Sequence, residues 1–315
     1  MALGITNCLC DALPTTAYLL QYSINGCSAS CTYCPQSRSS RSRRDLLSRV
    51  IWPEVDLDVI SKKLPHCSML RRVCVQTVIK RDFINELVDI LLNISSINKH
   101  ISTAITPVPR NVLIELISHG VDHLGVGLDA SSKELFMKVK KPYTWRKYWR
   151  FIHEAVKVFG DWNVTVHLIV GLGEGINDLI DTIRRIKSLN ANVALFAFTP
   201  IKGTELGSLR NYPNIMYYRL VQLITKLIYD GHNPSDFLLV SRGKAFVKRD
   251  FISYDSDFLR ELLLTRGCPY CNRPFYNEVP GKELYNFPNE ELIMKYKDLI
   301  IHELERMVHE GVKIV

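Results

Sequence analysis

The sequence predicts an α/β fold: a complete or partial (βα) barrel of the TIM type, followed by a cysteine-bearing extension of helix and loop at the C-terminus. Three observations point there. Six runs of strand length alternate with helical patterns before residue 231. The runs are near-continuous in Val, Ile, Leu and Phe, as expected when a parallel sheet is buried on both faces. No low-complexity linker and no obvious domain break interrupts them.

The elements follow in order. "AYLLQYSI" (17–24) is the first strand and ends at a cysteine loop. "RRVCVQTVI" (71–79) is the second, and the helix behind it carries Phe83, Ile84, Leu87, Val88 and Leu91 on one face. "HISTAIT" (100–106) precedes the helix "RNVLIELISHG". "VDHLGVGLD" (121–129) precedes one with Trp145, Tyr148, Trp149, Ile152, Val156 and Phe159 at three- and four-residue steps. "NVTVHLIVG" (163–171) is followed by Ile176, Leu179, Ile180, Ile183 and Ile186 at the same steps, and "NVALFAFTP" (192–200) is the sixth strand. "FLLVS" (237–241) reads as a further strand, and 289–311 as a closing helix. The chain divides into an N-terminal extension (1–16), a barrel (17–250) and a C-terminal extension (251–315).

Apolar residues make up 47% of the 315 and charged residues 23%, so a sizeable core is expected. The formal net charge of +8 suits an acidic partner, whether nucleic acid, a phosphorylated metabolite or an acidic protein, and does not choose among them. No apolar run approaches the roughly 18 residues of a membrane span. The N-terminal "MALGITNCLCDALPTT" lacks a basic segment followed by an apolar one, so no secretion signal is expected. The expected location is the cytoplasm, where nine cysteines mean metal or redox chemistry more often than disulfides.

"SINGCSASCTYCPQS" places Cys27, Cys31 and Cys34 in a C-x3-C-x2-C loop just past the first strand. Active sites of such barrels gather at the C-terminal ends of the strands. A closed zinc site wants four ligands and a disulfide two. Three thiolates hold three irons of a cubane cluster and leave the fourth iron open to a substrate. An incomplete zinc site or reduced loop cysteines are the plainer alternatives.

With Tyr33 before its third cysteine, this loop resembles the signature of the radical S-adenosylmethionine (SAM) superfamily. The resemblance implies a four-iron, four-sulfide cluster whose open iron chelates SAM. An electron from the cluster then cleaves the sulfonium to a 5′-deoxyadenosyl radical that removes hydrogen from unactivated carbon. "HLIVGLGE" (167–174) resembles the family's fifth-strand G-x-I-x-G-x-x-E motif at Ile169, Gly171 and Glu174, with His167 in place of the first glycine. The usual Gly-Gly-Glu after strand two is replaced by "VQTVIKRD", where Gln76 and Thr77 would take its role.

Within the superfamily the chain most resembles biotin synthase and its relatives. "GLDAS" places Asp129 where that group meets the SAM ribose, and "YTWRKYW" places Arg146 where an arginine faces the SAM carboxylate. Cys74 in strand two falls where biotin synthase has a ligand of a second, sulfur-donating cluster. The partners it would need on strands three and five are absent, but "RGCPYCNRPFYNE" carries Cys268 and Cys271. A glutaredoxin-like dithiol or a zinc pair are alternatives to an auxiliary four-iron cluster there. Cys8, Cys10 or Cys67 would complete the cluster.

Across nearly its whole length the chain resembles the second component of the archaeal two-component lipoyl synthase. That resemblance implies sulfur insertion into the octanoyl-lysine of an acidic lipoyl-carrier protein, together with a second radical SAM component and an electron donor such as ferredoxin. A biotin-synthase-like enzyme of a small molecule and a tRNA-modifying enzyme are the alternatives. A tRNA enzyme would usually carry an added RNA-binding module, and none is seen. The run "SRSSRSRRDLLSR", with Arg38, Arg41, Arg43, Arg44 and Arg49, is either a solvated face or a dock for the carrier.

Overall fold

A computed structural model describes residues 12–209 and 211–314. Six parallel strands form its main sheet: β1 (Thr16–Leu20), β2 (Arg72–Gln76), β3 (His100–Ala104), β4 (Val121–Asp129), β5 (Val164–Val170) and β6 (Asn192–Ala197). They lie side by side in chain order, so β1 and β6 are its two edges and the barrel is partial. Crossovers run through α1 (Leu57–Lys63), α2 (Phe83–Ser95), α3 (Arg110–Ser118), α4 (Lys133–Val139) with α5 (Trp145–Phe159), and α6 (Ile176–Ser188); α7 (Ile215–Tyr229) follows β6. Every expected strand forms. Most stop a few residues short at their C-terminal ends, because the trailing Thr, Gly and Pro residues turn away into loops.

Both faces of the sheet are buried, as the apolar runs predict, but the two faces differ chemically. Odd positions of β2, Val73 and Val75, join the apolar layer under the helices. Even positions face the barrel lumen and are polar. Tyr18 pairs in register with Cys74, Cys74 with Ser102, and Ser102 with His123. His123 bonds Thr165 Oγ1 on the neighbouring strand β5 at 2.7 Å. The alternation of side chains along a strand thus turns apolar-looking sequences into one greasy and one polar wall.

The expected strand at 237–241 does not extend the barrel. It forms β7 (Leu238–Ser241), which pairs antiparallel with β8 (Lys244–Val247), itself paired with β9 (Val312–Lys313). Only a short loop separates β7 from β8, which suits a hairpin and is too short for a parallel crossover. The closing helix is two helices, Glu290–Lys295 and Lys297–His309, that break at Tyr296. The C-terminal extension shares the barrel's apolar core through Leu259, Phe287, Ile300 and Leu304. It is fixed to α7 by a buried ion pair, Arg219 Nε to Glu303 Oε2 at 2.8 Å. Among the described residues no helix is long and apolar enough to cross a membrane.

Candidate functional site: two cysteine sets in one barrel

The first cysteine set sits at the C-terminal face. Cys27, Cys31 and Cys34 line one cavity of about 250 Å³ with Gln76, Asp129, Lys140 and His167. The loop that carries them is tightly braced. Ser30–Cys31 forms a two-residue antiparallel bridge with Lys140–Lys141. The Arg44 guanidinium donates to the carbonyls of Pro35, Ser37 and Ser40 at 3.2, 2.9 and 3.3 Å. Gly26, at φ +71°, passes so close to this brace that a Cβ would lie 2.6 Å from Arg44 Nη1 and 2.7 Å from the Gln36 carbonyl. The arginine run is therefore partly structural. Arg49 donates to the Tyr276 and Glu278 carbonyls and Arg43 pairs with Asp45, while Arg38 and Arg41 are exposed.

The loop is tied to β4 by a buried charge pair. Asp129 accepts hydrogen bonds from both Lys140 Nζ and the Tyr33 hydroxyl. Lys140 also lies 5.1 Å from the centre of the Tyr148 ring, within cation–π range. Burial opposes the charge on Lys140, but Asp129, with Tyr148 and Cys31, outweighs it and holds the amine firmly protonated. Burial pushes Cys34 up to about 12 and raises Cys31 too, so binding iron must displace protons from these thiols.

The residues fit the cluster and SAM that the motif implies. Three thiols from one loop face one cavity, and among the described residues no fourth cysteine lines it. Gln76 Nε2 is buried there with no hydrogen-bond partner, a donor left for a ligand. Among the described residues no three His, Cys, Asp or Glu side chains converge as tightly as a single metal ion needs. A cubane makes a looser demand, because each thiolate binds a different iron.

Two expected SAM contacts fall elsewhere. Arg146 is exposed on the first turn of α5 and lines no part of the cysteine cavity, because Tyr148, Trp149 and Ile152 take the buried face of that helix. The Lys and Arg side chains that line the cavity are Lys140 and Arg273. Gly171, at φ +103°, shapes the turn after β5: its N–H donates to Glu174 Oε1 at 2.7 Å, and a Cβ would press on Pro213 and Phe198. It lines the neighbouring cavity around Tyr212 and Lys313. Tyr33, Gln76, Thr77, Asp129, His167 and Ile169 line the cysteine cavity.

The second set assembles lower in the lumen. Burial and the proximity of Cys271 push Cys74 up to about 11, and burial, Cys271 and Cys74 together raise Cys268. Residues 268–272 arrive at the N-terminal ends of the strands, opposite the barrel mouth where they were expected. Thr15 and Thr16 each donate to the Tyr270 carbonyl, at 2.7 and 2.8 Å, and Arg72 Nε donates to that of Pro269 at 2.8 Å. Tyr18 Oη lies 3.8 Å from Cys271 Sγ and donates to Asn272 Oδ1 at 2.9 Å. Ser102, in register with Cys74, places its buried hydroxyl within reach of the Cys74 and Cys268 thiols. Of the candidate fourth ligands, Cys67 packs against the apolar core, and Cys8 and Cys10 lie outside the described residues.

Arg273 joins the two sets and was not foreseen. The helix Arg273–Asn277 packs against the open side of the barrel. Its half-buried arginine lies near Cys74, Cys271, Tyr18 and Cys34, so it feels thiols of both sets at once. Its Nε has no hydrogen-bond partner. The only signal in the sequence is its place two residues after Cys271.

Comparison with solved structures returns radical SAM enzymes. Methylornithine synthase superposes with a TM-score of 0.55 at 14% identity over 69% of this chain and 63% of that one. The FeFe-hydrogenase maturase from Carboxydothermus hydrogenoformans gives 0.52 at 13% over 92% and 66%. At such identities the likeness is one of fold, and the chain spans less than two thirds of either structure. No curated protein matches the sequence. The family model for the radical SAM superfamily matches residues 22–186, more than half of the chain and the whole stretch from the cysteine loop to α6, and the protein belongs to that superfamily.

Proposed function

We propose that this radical SAM enzyme inserts sulfur into unactivated C–H bonds, with octanoyl-lysine as substrate, in the manner of the second component of a two-component lipoyl synthase. The observation that carries the reading is the approach of the Cys268–Cys271 turn to the strand that holds Cys74: Tyr18 lies 3.8 Å from Cys271 Sγ and stands in register with Cys74. When bound, the two groups would supply a hydrogen-abstracting radical and a store of sulfide. The chain's own residues position and exclude. Asp129, Lys140 and Tyr33 hold the first loop in place, Gln76 offers a free donor to SAM, and Tyr18 with Ser102 orients the second thiol set. A carbon radical must meet sulfur before it meets water, and a walled lumen with a cysteine set at each level serves that need. An acidic lipoyl carrier, a second radical SAM component and an electron donor such as ferredoxin complete the scheme.

Iron and sulfide counting after anaerobic reconstitution tests the two-cluster basis. About eight irons are expected in the intact protein, and about four each after Cys27, Cys31 and Cys34→Ala or after Cys268 and Cys271→Ala. The second variant should still form 5′-deoxyadenosine and transfer no sulfur. Four irons in the intact protein would remove the auxiliary cluster and the sulfur-insertion reading with it.

A further inference from the structure

A second, larger cavity of about 710 Å³ runs along the free edge of β1. Its lining takes in β1 together with the loop that follows it, as far as Ile24. The facing wall is mainly apolar: Trp52, Val55, Ile60 and Leu70. At the outer end the apolar residues Tyr22, Ile24 and Ile51 are 52%, 73% and 56% exposed. At the inner end Leu20, Gln36, Arg273 and Asn277 line both this groove and the cavity of the radical cysteines. Tyr18, beside Cys271, also lines the groove.

We infer that this groove is a lateral substrate channel for a long unbranched acyl chain in amide linkage to a lysine. The chain enters along β1 with its far end foremost. The inference rests on the sulfur-insertion reading and adds to it the route and the orientation. The walls are mainly apolar, and Leu20, Gln36, Arg273 and Asn277 open the groove onto the cavity of the radical cysteines, where the leading end of the chain would react. The four methylenes of the lysine stem continue the apolar path to the rim. Beyond the rim the carrier stays in solvent. Exposed Arg38 and Arg41 on the adjoining loop, in a chain of net charge +8, suit an acidic carrier.

The test measures binding of Nε-butanoyl-, hexanoyl- and octanoyl-lysine amides to the anaerobically reconstituted protein with SAM, by calorimetry. Affinity should rise about fourfold per added methylene, the ratio for burying one methylene. Ile60→Asp and Val55→Trp, both on the groove wall and outside the cysteine cavity, should flatten that dependence. Iron content and SAM affinity should stay unchanged in both, which shows that the fold survives. An octanoyl-lysine carrying a terminal diazirine should crosslink near Tyr18 and Leu20. A chain-length dependence untouched by both variants, or crosslinks confined to loops at the barrel mouth such as Ser48 and Thr106, would overturn the channel. Retained binding without thiolated product would support the channel and sink the sulfur-insertion reading instead.

Discussion

Replacing Lys140 by Met should weaken the fold more than any other single change near the radical loop. The Lys140 and Asp129 side chains are only 7% and 12% exposed, so water does little to screen the pair. Removing the cation leaves Asp129 with the Tyr33 hydroxyl alone. Breaking one partner of a buried pair typically costs about 3–5 kcal/mol. The variant also loses the amine's contact with the Tyr148 ring. With an m-value near ~3 kcal/mol/M in urea, the unfolding midpoint should fall by roughly 1–2 M. Adding Asp129→Asn should restore much of the loss, since it removes the stranded charge. Urea unfolding of the reduced, metal-free protein measures all three variants as a double-mutant cycle. In Lys140→Met the bridge to Ser30–Cys31 should also loosen, and Cys31 should alkylate faster. A single variant within about 0.5 kcal/mol of the parent, a scale typical of surface changes, would refute the clamp. So would a double variant no better than the single.

Three further outcomes are expected. Arg146→Ala should leave SAM affinity unchanged in equilibrium binding, because the side chain lies outside the cysteine cavity; a tenfold loss would restore it to the site. Gly26→Ala should lower reconstituted iron content while the helical circular dichroism stays intact, because its Cβ would collide with the Arg44 brace beside Cys27. Stability should fall on acidification from about pH 6.5 toward 4, because burial holds His123 and His167 near pKa about 4 and the unfolded chain binds more protons in that window. Each histidine contributes a slope of up to about 1.4 kcal/mol per pH unit, and His123→Asn should remove its share in urea titrations at several pH values.

The barrel was legible because burial writes itself as local pattern: each strand is an apolar run and each helix a periodic one. The cysteine loop was legible because three ligands of one cluster lie within eight residues. What escaped depends on long-range placement. Lys140 reads as one of two adjacent lysines near a proline. Only its two-residue bridge to Cys31 turns it inward, and such a short bridge leaves no periodic trace. Arg146 matches a motif, but the helix phase set by Tyr148, Trp149 and Ile152 points it outward. The C-P-Y-C turn was expected to reach Cys74 from the barrel mouth. The turn instead reaches the barrel at its base, and the anchoring bonds from Thr15, Thr16 and Arg72 to the turn's carbonyls are invisible in a list of residue types.

The central claim is that sulfur held by Cys74, Cys268 and Cys271 ends up on the substrate. The most direct test reconstitutes the protein with heavy-isotope sulfide, removes the excess, and adds SAM, reductant, the partner component and an octanoyl-lysyl peptide without oxygen. Mass spectrometry of the peptide then gives the answer. The account predicts a thiolated product carrying the heavy isotope, and none from the Cys268→Ala, Cys271→Ala variant. Sulfur of natural isotopic composition in the product, or 5′-deoxyadenosine without any thiolated peptide, would contradict it.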